Sequence, residues 1–176
     1  KKIERTNFPV HFNIYTLLHK SARVVSGMKI ETENLEYFIT NGTELKTISF
    51  SSLPVSAAVT TNQFSQWLNL HLFLSFKSKF PEPENASIRS ILDLAKNSAS
   101  TTLQIKTEIA ALTKWDEGDG TVKNLTAIET GIGLRHTGTD LDYTNAETYH
   151  RLVKCFEQMR LTGADAATMF SWTVIK

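Results

Sequence analysis

Apolar residues recur along this chain at the i, i+3, i+4, i+7 interval of an α-helix, in short blocks punctuated by Gly, Pro and hydroxyl residues. The clearest block spans residues 144–161, where Tyr149, Leu152, Val153, Phe156 and Met159 form one stripe and Arg151, Lys154, Glu157 and Gln158 the opposite face. Gly163 follows where a left-handed residue would close the helix, since Gly has no Cβ to clash there. Asp165 is placed to cap a terminal helix starting at Ala166, because its carboxylate can accept from the unpaired N–H groups of the first turn. The same helix–Gly–capped-helix signal occurs near the start. There a helix over 9–26 carries a stripe of Ile14, Leu17, Leu18, Ala22 and Val25, Gly27 takes the closing left-handed position, and Thr32 caps a short helix to Ile39.

Between these ends the pattern predicts four more helices. A helix over 61–79 precedes the break at Phe80-Pro81-Glu82-Pro83, where neither Pro can continue it. Its pattern is ambiguous: Leu68, Leu70, Leu72, Leu74 and Phe76 alternate as in a strand, while Phe64, Trp67, Leu68, His71, Leu72 and Phe76 fit a helical stripe. Its length and lack of β-branched residues favour a buried helix. Asn85 or Ser87 caps a helix with Ile88, Ile91, Leu92 and Ala95 inward, and further helices follow over 102–113 and 121–130. Residues 43–60 read as a connector and 131–142 as a loop. The expected fold is therefore all-α, an irregular array of about seven or eight short amphipathic helices.

At 176 residues, with 41% hydrophobic and 21% charged, residues 1–176 read as a single helical domain. Lys1-Lys2 begins abruptly and Trp172-Thr173-Val174-Ile175-Lys176 stops inside an apolar stretch, so the domain is expected to be a fragment of a larger protein. A formal charge of +1 gives no basic excess for nucleic acid or an anionic membrane. No apolar run reaches membrane-spanning length, and no targeting segment is seen. The single cysteine, Cys155, excludes an intramolecular disulfide.

Candidate chemistry is sparse. The acidic turn Asp116-Glu117-Gly118-Asp119-Gly120 lacks the spacing of a calcium loop, since the twelfth position from Asp116 is Ala127; a turn or helix cap accounts for it better. Asp140, Asp142 and Asn145 precede the strongest helix and read as its cap. The five histidines, His11, His19, His71, His136 and His150, form no close metal-ligand pair, and Cys155 and His150 do not face each other on a helix. No G-x-S-x-G, S-x-x-K or phosphate loop is present. Trp67, Trp115, Phe156 and Trp172 are expected as core anchors, with Gly27 and Gly163 as structural glycines. The expectation is a non-enzyme without metal or cofactor.

One family pattern is visible. The run Leu18-His19-Lys20-Ser21-Ala22, continuing through Gly27-Met28-Lys29-Ile30-Glu31-Thr32-Glu33-Asn34-Leu35-Glu36-Tyr37, resembles the A subunit of bacterial Tc (toxin complex) insecticidal toxins. Phe64-Ser65-Gln66-Trp67-Leu68, Ile91-Leu92-Asp93-Leu94-Ala95, Ala111-Leu112-Thr113-Lys114-Trp115-Asp116, Leu152-Val153-Lys154-Cys155-Phe156 and Phe170-Ser171-Trp172 follow in the order of that family. Residues 1–9 and the Gly-rich stretches 118–120 and 131–139 depart from it. The resemblance implies part of the α-helical shell around a toxin-translocating channel, a scaffold secreted or held at the cell surface. Its partners would be the rest of the parent subunit and neighbouring copies, with no nucleic acid and no membrane insertion by this segment. The rival expectation is a free-standing helical adaptor that holds a partner protein or peptide in a groove.

Overall fold

The structure, a computed structural model, describes residues 4–55, 59–116 and 122–173. Among them the chain is all-α, as its periodicity predicts. Its eight helices are α1 (Pro9–Gly27), α2 (Thr32–Asn41), α3 (Thr61–Lys79), α4 (Ile88–Lys96), α5 (Thr102–Thr113), α6 (Lys123–Ile132), α7 (Ala146–Thr162) and α8 (Ala166–Thr173). A minimal antiparallel hairpin, β1 (His136–Thr137) and β2 (Asp140–Leu141), lies within the stretch expected as loop. Gly138, at φ +59°, starts its two-residue turn, a conformation an L side chain rarely adopts.

Local sequence explains most boundaries. Thr60 and Gln63 cap α3 reciprocally: Gln63 N–H donates to Thr60 Oγ1 at 3.2 Å and Thr60 N–H to Gln63 Oε1 at 3.0 Å. Ser87 with Ser90, and Thr101 with Gln104, form the same box at α4 and α5. Asn145 caps α7, and Asp165 caps α8 by accepting from Thr168 N–H at 2.8 Å. Gly163, at φ +69°, closes α7 through its N–H to Met159 O at 2.9 Å, as its position predicts.

Gly27 does not take the corresponding role at the end of α1. The left-handed residue is Lys29, at φ +52°; its N–H reaches Ser26 O and that of Ile30 reaches Val25 O, which is the hydrogen-bond pair of a Schellman closure. The helix thus runs to Gly27 and stops two residues later than a Gly signal suggests. Thr32, expected as the N-cap of α2, is instead its first helical residue; Glu31 stands at the N-cap position and makes no side-chain capping hydrogen bond.

Where length alone suggests one domain, the chain divides into two compact units, residues Lys1–Leu74 and Ser75–Lys176, with the division falling inside α3. In the first unit Ile30, Phe38, Leu45, Ile48, Leu70 and Phe73 are buried, and Phe38 stacks on Phe73 at 6.0 Å. The inward face of α3 here is Leu70 and Phe73; of the stripe expected inside, Phe64, Trp67, Leu68 and His71 lie exposed, Leu72 is half-buried and only Phe76 is buried. Because α3 is apolar around most of its circumference, periodicity cannot say which face turns in.

In the second unit α4 packs on α5, and α6 packs on α7 and α8. Ile88, Ile91, Leu92 and Ala95 are all buried, as their spacing predicts, against Ile105, Ile109, Leu112, Leu125 and Ile128. Tyr149 and Leu152 bring the α7 stripe into this core, with Val153, Phe156 and Met159 half-buried beside them. Gly131 lets α8 approach α6: a Cβ there would meet the Phe170 ring at 2.6 Å.

Candidate functional site

The predicted aromatic anchors separate into two groups. Trp115 and Phe156 are brought together in the second unit, stacked at 4.0 Å with their planes 10° apart. Phe80 packs edge-on to Trp115 at 5.1 Å, and Phe76 packs on Tyr149 at 5.1 Å. Those five residues therefore form one aromatic cluster. Trp67 and Trp172 do not act as anchors: Trp172 is 62% exposed near the end of α8, and Trp67 lies at the surface. Trp67 instead stacks between Phe64 (5.9 Å) and His71 (5.5 Å, planes 3° apart) along the outer face of α3. The stripe ending at Val174 and Ile175 lies beyond the described residues.

The acidic clusters are structural where they can be described. Asp116 accepts from the Asn124 side chain at 2.6 Å and from Leu125 N–H at 2.8 Å, so it closes the N-terminus of α6. Asn124 in turn accepts from Ala166 N–H at 3.0 Å and ties α6 to the start of α8. The rest of that turn, 117–120, lies outside the described residues. Asp142 accepts from Arg135 N–H at 2.7 Å, and its carbonyl accepts from the Thr148 hydroxyl at 2.7 Å. Among the described residues no group of His, Cys, Asp or Glu is arranged to hold a metal ion.

A polar network that sequence reasoning missed lies inside the second unit. Lys106, nearly fully buried, pairs with Glu129 and donates to Thr126 Oγ1 at 3.0 Å. Burial, then the charge and hydrogen bond of Glu129, push the Tyr143 phenol far above its ordinary range, so it stays protonated. The Tyr149 hydroxyl donates to Tyr143 O at 2.7 Å. His136 is buried beside Tyr143; its Nε2 lies 3.2 Å from Asn97 O, and its Nδ1 has no partner among the described residues. Lys106 and Glu129 are 23 positions apart on different helices, so no local pattern announces the pair. The pair cross-links α5 to α6. Burial also pushes the Cys155 thiol up, which keeps it from being a ready nucleophile.

The surface of the first unit is different. No residue of α1 is buried, and Val10, Ile14 and Leu18, at successive i+4 positions, are 66%, 58% and 65% exposed. Of the stripe expected to pack inward, Ile14, Leu18 and Ala22 are exposed while Leu17 and Val25 are half-buried, together with Phe12 and Val24. A row of large apolar residues facing water is the pattern that association surfaces carry. Among the described residues no helix is long and apolar enough to cross a membrane.

Compared with known proteins, the chain matches no family model, and neither a curated protein nor a solved structure matches it significantly.

Proposed function

We propose that this chain is a non-enzymatic helical scaffold segment, and that its parent is a Tc-type toxin A subunit in which it forms part of the shell around the translocation channel. The observation that carries the scaffold reading is the outer face of α1, where Val10, Ile14 and Leu18 are exposed in a continuous row. Three such side chains are each worth about 1.5–3 kcal/mol when moved out of water, a free energy available to association with further polypeptide. The parent itself rests on the ordered set of resembling segments from Leu18 to Trp172.

The test is assembly of the full parent protein carrying Ile14→Glu and Leu18→Glu. A charge on this face should abolish or weaken assembly while the isolated chain keeps its helical circular dichroism. Normal assembly would overturn the role assigned to α1. Dye release from liposomes, or turnover of hydrolase substrates by the isolated chain, would overturn the non-enzymatic scaffold.

A further inference from the structure

The first unit also contains a cavity of about 510 Å³, in the size range of a ligand site. It lies between the end of α2, the segment 43–51 and one face of α3. Its floor is apolar, from Phe38, Ile48 and Phe50, and its rim carries the carboxamides of Asn62, Gln66 and Asn69 on α3. Among the described residues of the lining, Lys46 is the one ammonium and none is a carboxylate.

Two carboxamides of α3 already show what such groups do here. Asn69 Nδ2 donates to the main-chain carbonyl of Lys46 at 3.0 Å, and Gln63 Nε2 to that of Ser52 at 3.2 Å. Both hold the intervening segment by its backbone. The side chains of Asn62 and Gln66 have no partner among the described residues, and each offers one donor group and one acceptor, the same complement as a peptide unit. Four residues of helix separate them by about 6 Å. The two-residue repeat of an extended chain is about 6.6–6.8 Å, so the two carboxamides match the N–H and C=O of alternate residues on one edge of such a chain.

We infer that this cavity binds a short extended peptide, held by its main chain on Asn62 and Gln66, with an apolar side chain over Phe38 and Ile48 and an acidic side chain paired with Lys46. The peptide is a partner segment distinct from whatever covers α1. Substitutions at Ile14 and Leu18 should leave its binding unchanged, so either assignment can fail alone.

The experiment is an NMR titration of the chain, following the side-chain amide signals of Asn62 and Gln66. The probes are two blocked alanine pentapeptides, one with a central glutamate, and maltotriose as a polyhydroxylated comparison. The glutamate peptide should shift both signals saturably. The double variant Asn62→Leu/Gln66→Leu should bind it about tenfold more weakly, as expected for losing two hydrogen bonds of ordinary strength. Its fold should persist, because neither side chain bonds within the described protein. Lys46→Glu should weaken the glutamate peptide and spare the neutral one. Absence of saturable shifts with both peptides, equal binding by the double variant, or shifts with maltotriose alone would overturn the assignment.

Discussion

The two units of this chain use similar residues to different ends. In the second, α4 through α8 turn nearly all their large apolar side chains inward, and only Leu103, Leu161 and Trp172 are left strongly exposed. In the first, the outer faces of α1 and α3 and Ile39 on α2 carry apolar residues in water. The second unit also joins distant helices through polar links, Lys106 to Glu129 and Asn124 to Ala166. The contrast shows that helical amphipathicity alone does not produce a closed core. A helix buries its stripe only when neighbours on two sides accept it, and α1 has a half-buried side and an unpartnered one.

The sharpest way to break this contrast is at Lys106. Lys106→Ala would leave the half-buried Glu129 without its cation, a loss of up to about 3–5 kcal/mol, the cost of breaking a buried pair. Chemical denaturation should show that loss as a lower urea midpoint. An unchanged midpoint would mean that the pair is solvated and that the second unit is no more closed than the first.

A matched pair of substitutions tests the difference in burial directly. Ile109→Ala, at a fully buried site, should cost about 2–5 kcal/mol. Ile14→Ala, on the exposed side of α1, should stay within about 0.5 kcal/mol in the isolated chain. Equal losses would erase the distinction drawn between the units.

Gly131→Ala should cost about 1–3 kcal/mol by overpacking against Phe170, reduced by the better helix propensity of Ala. A net gain in melting temperature would show that α8 yields easily and that the α6–α8 contact is loose.

The smallest effect concerns acid. Hydrogen bonds from Lys79 and then Lys154 lower the Glu157 pKa from 4.5 to about 2. A carboxylate whose folded pKa is depressed stabilises the fold above its unfolded value and loses that contribution as pH falls toward the folded one. The loss therefore falls between about pH 4.5 and 2, and it is slight because the group is open to solvent. Lys79→Met should flatten this part of the stability-versus-pH curve and leave the neutral region nearly unchanged.

Much of this architecture follows from the amino-acid sequence. The 3.6-residue period marks most of the helices, α3 excepted, and the caps at Ser87, Thr101, Asn145 and Asp165 and the stop at Gly163 are local hydrogen-bond and φ preferences that need no distant partner. The inward face of α4 is legible too, because its apolar residues occupy one side only. Tertiary structure alone decided the rest. α3 is apolar on nearly every side, so only its neighbours choose Leu70 and Phe73 over Phe64 and Trp67. The Lys106–Glu129 pair and the carboxamide rim of the cavity join residues far apart in the chain. Short-range preferences fix where helices begin and end; which side faces in, and which polar groups meet, depends on contacts that exist only once the chain has closed on itself.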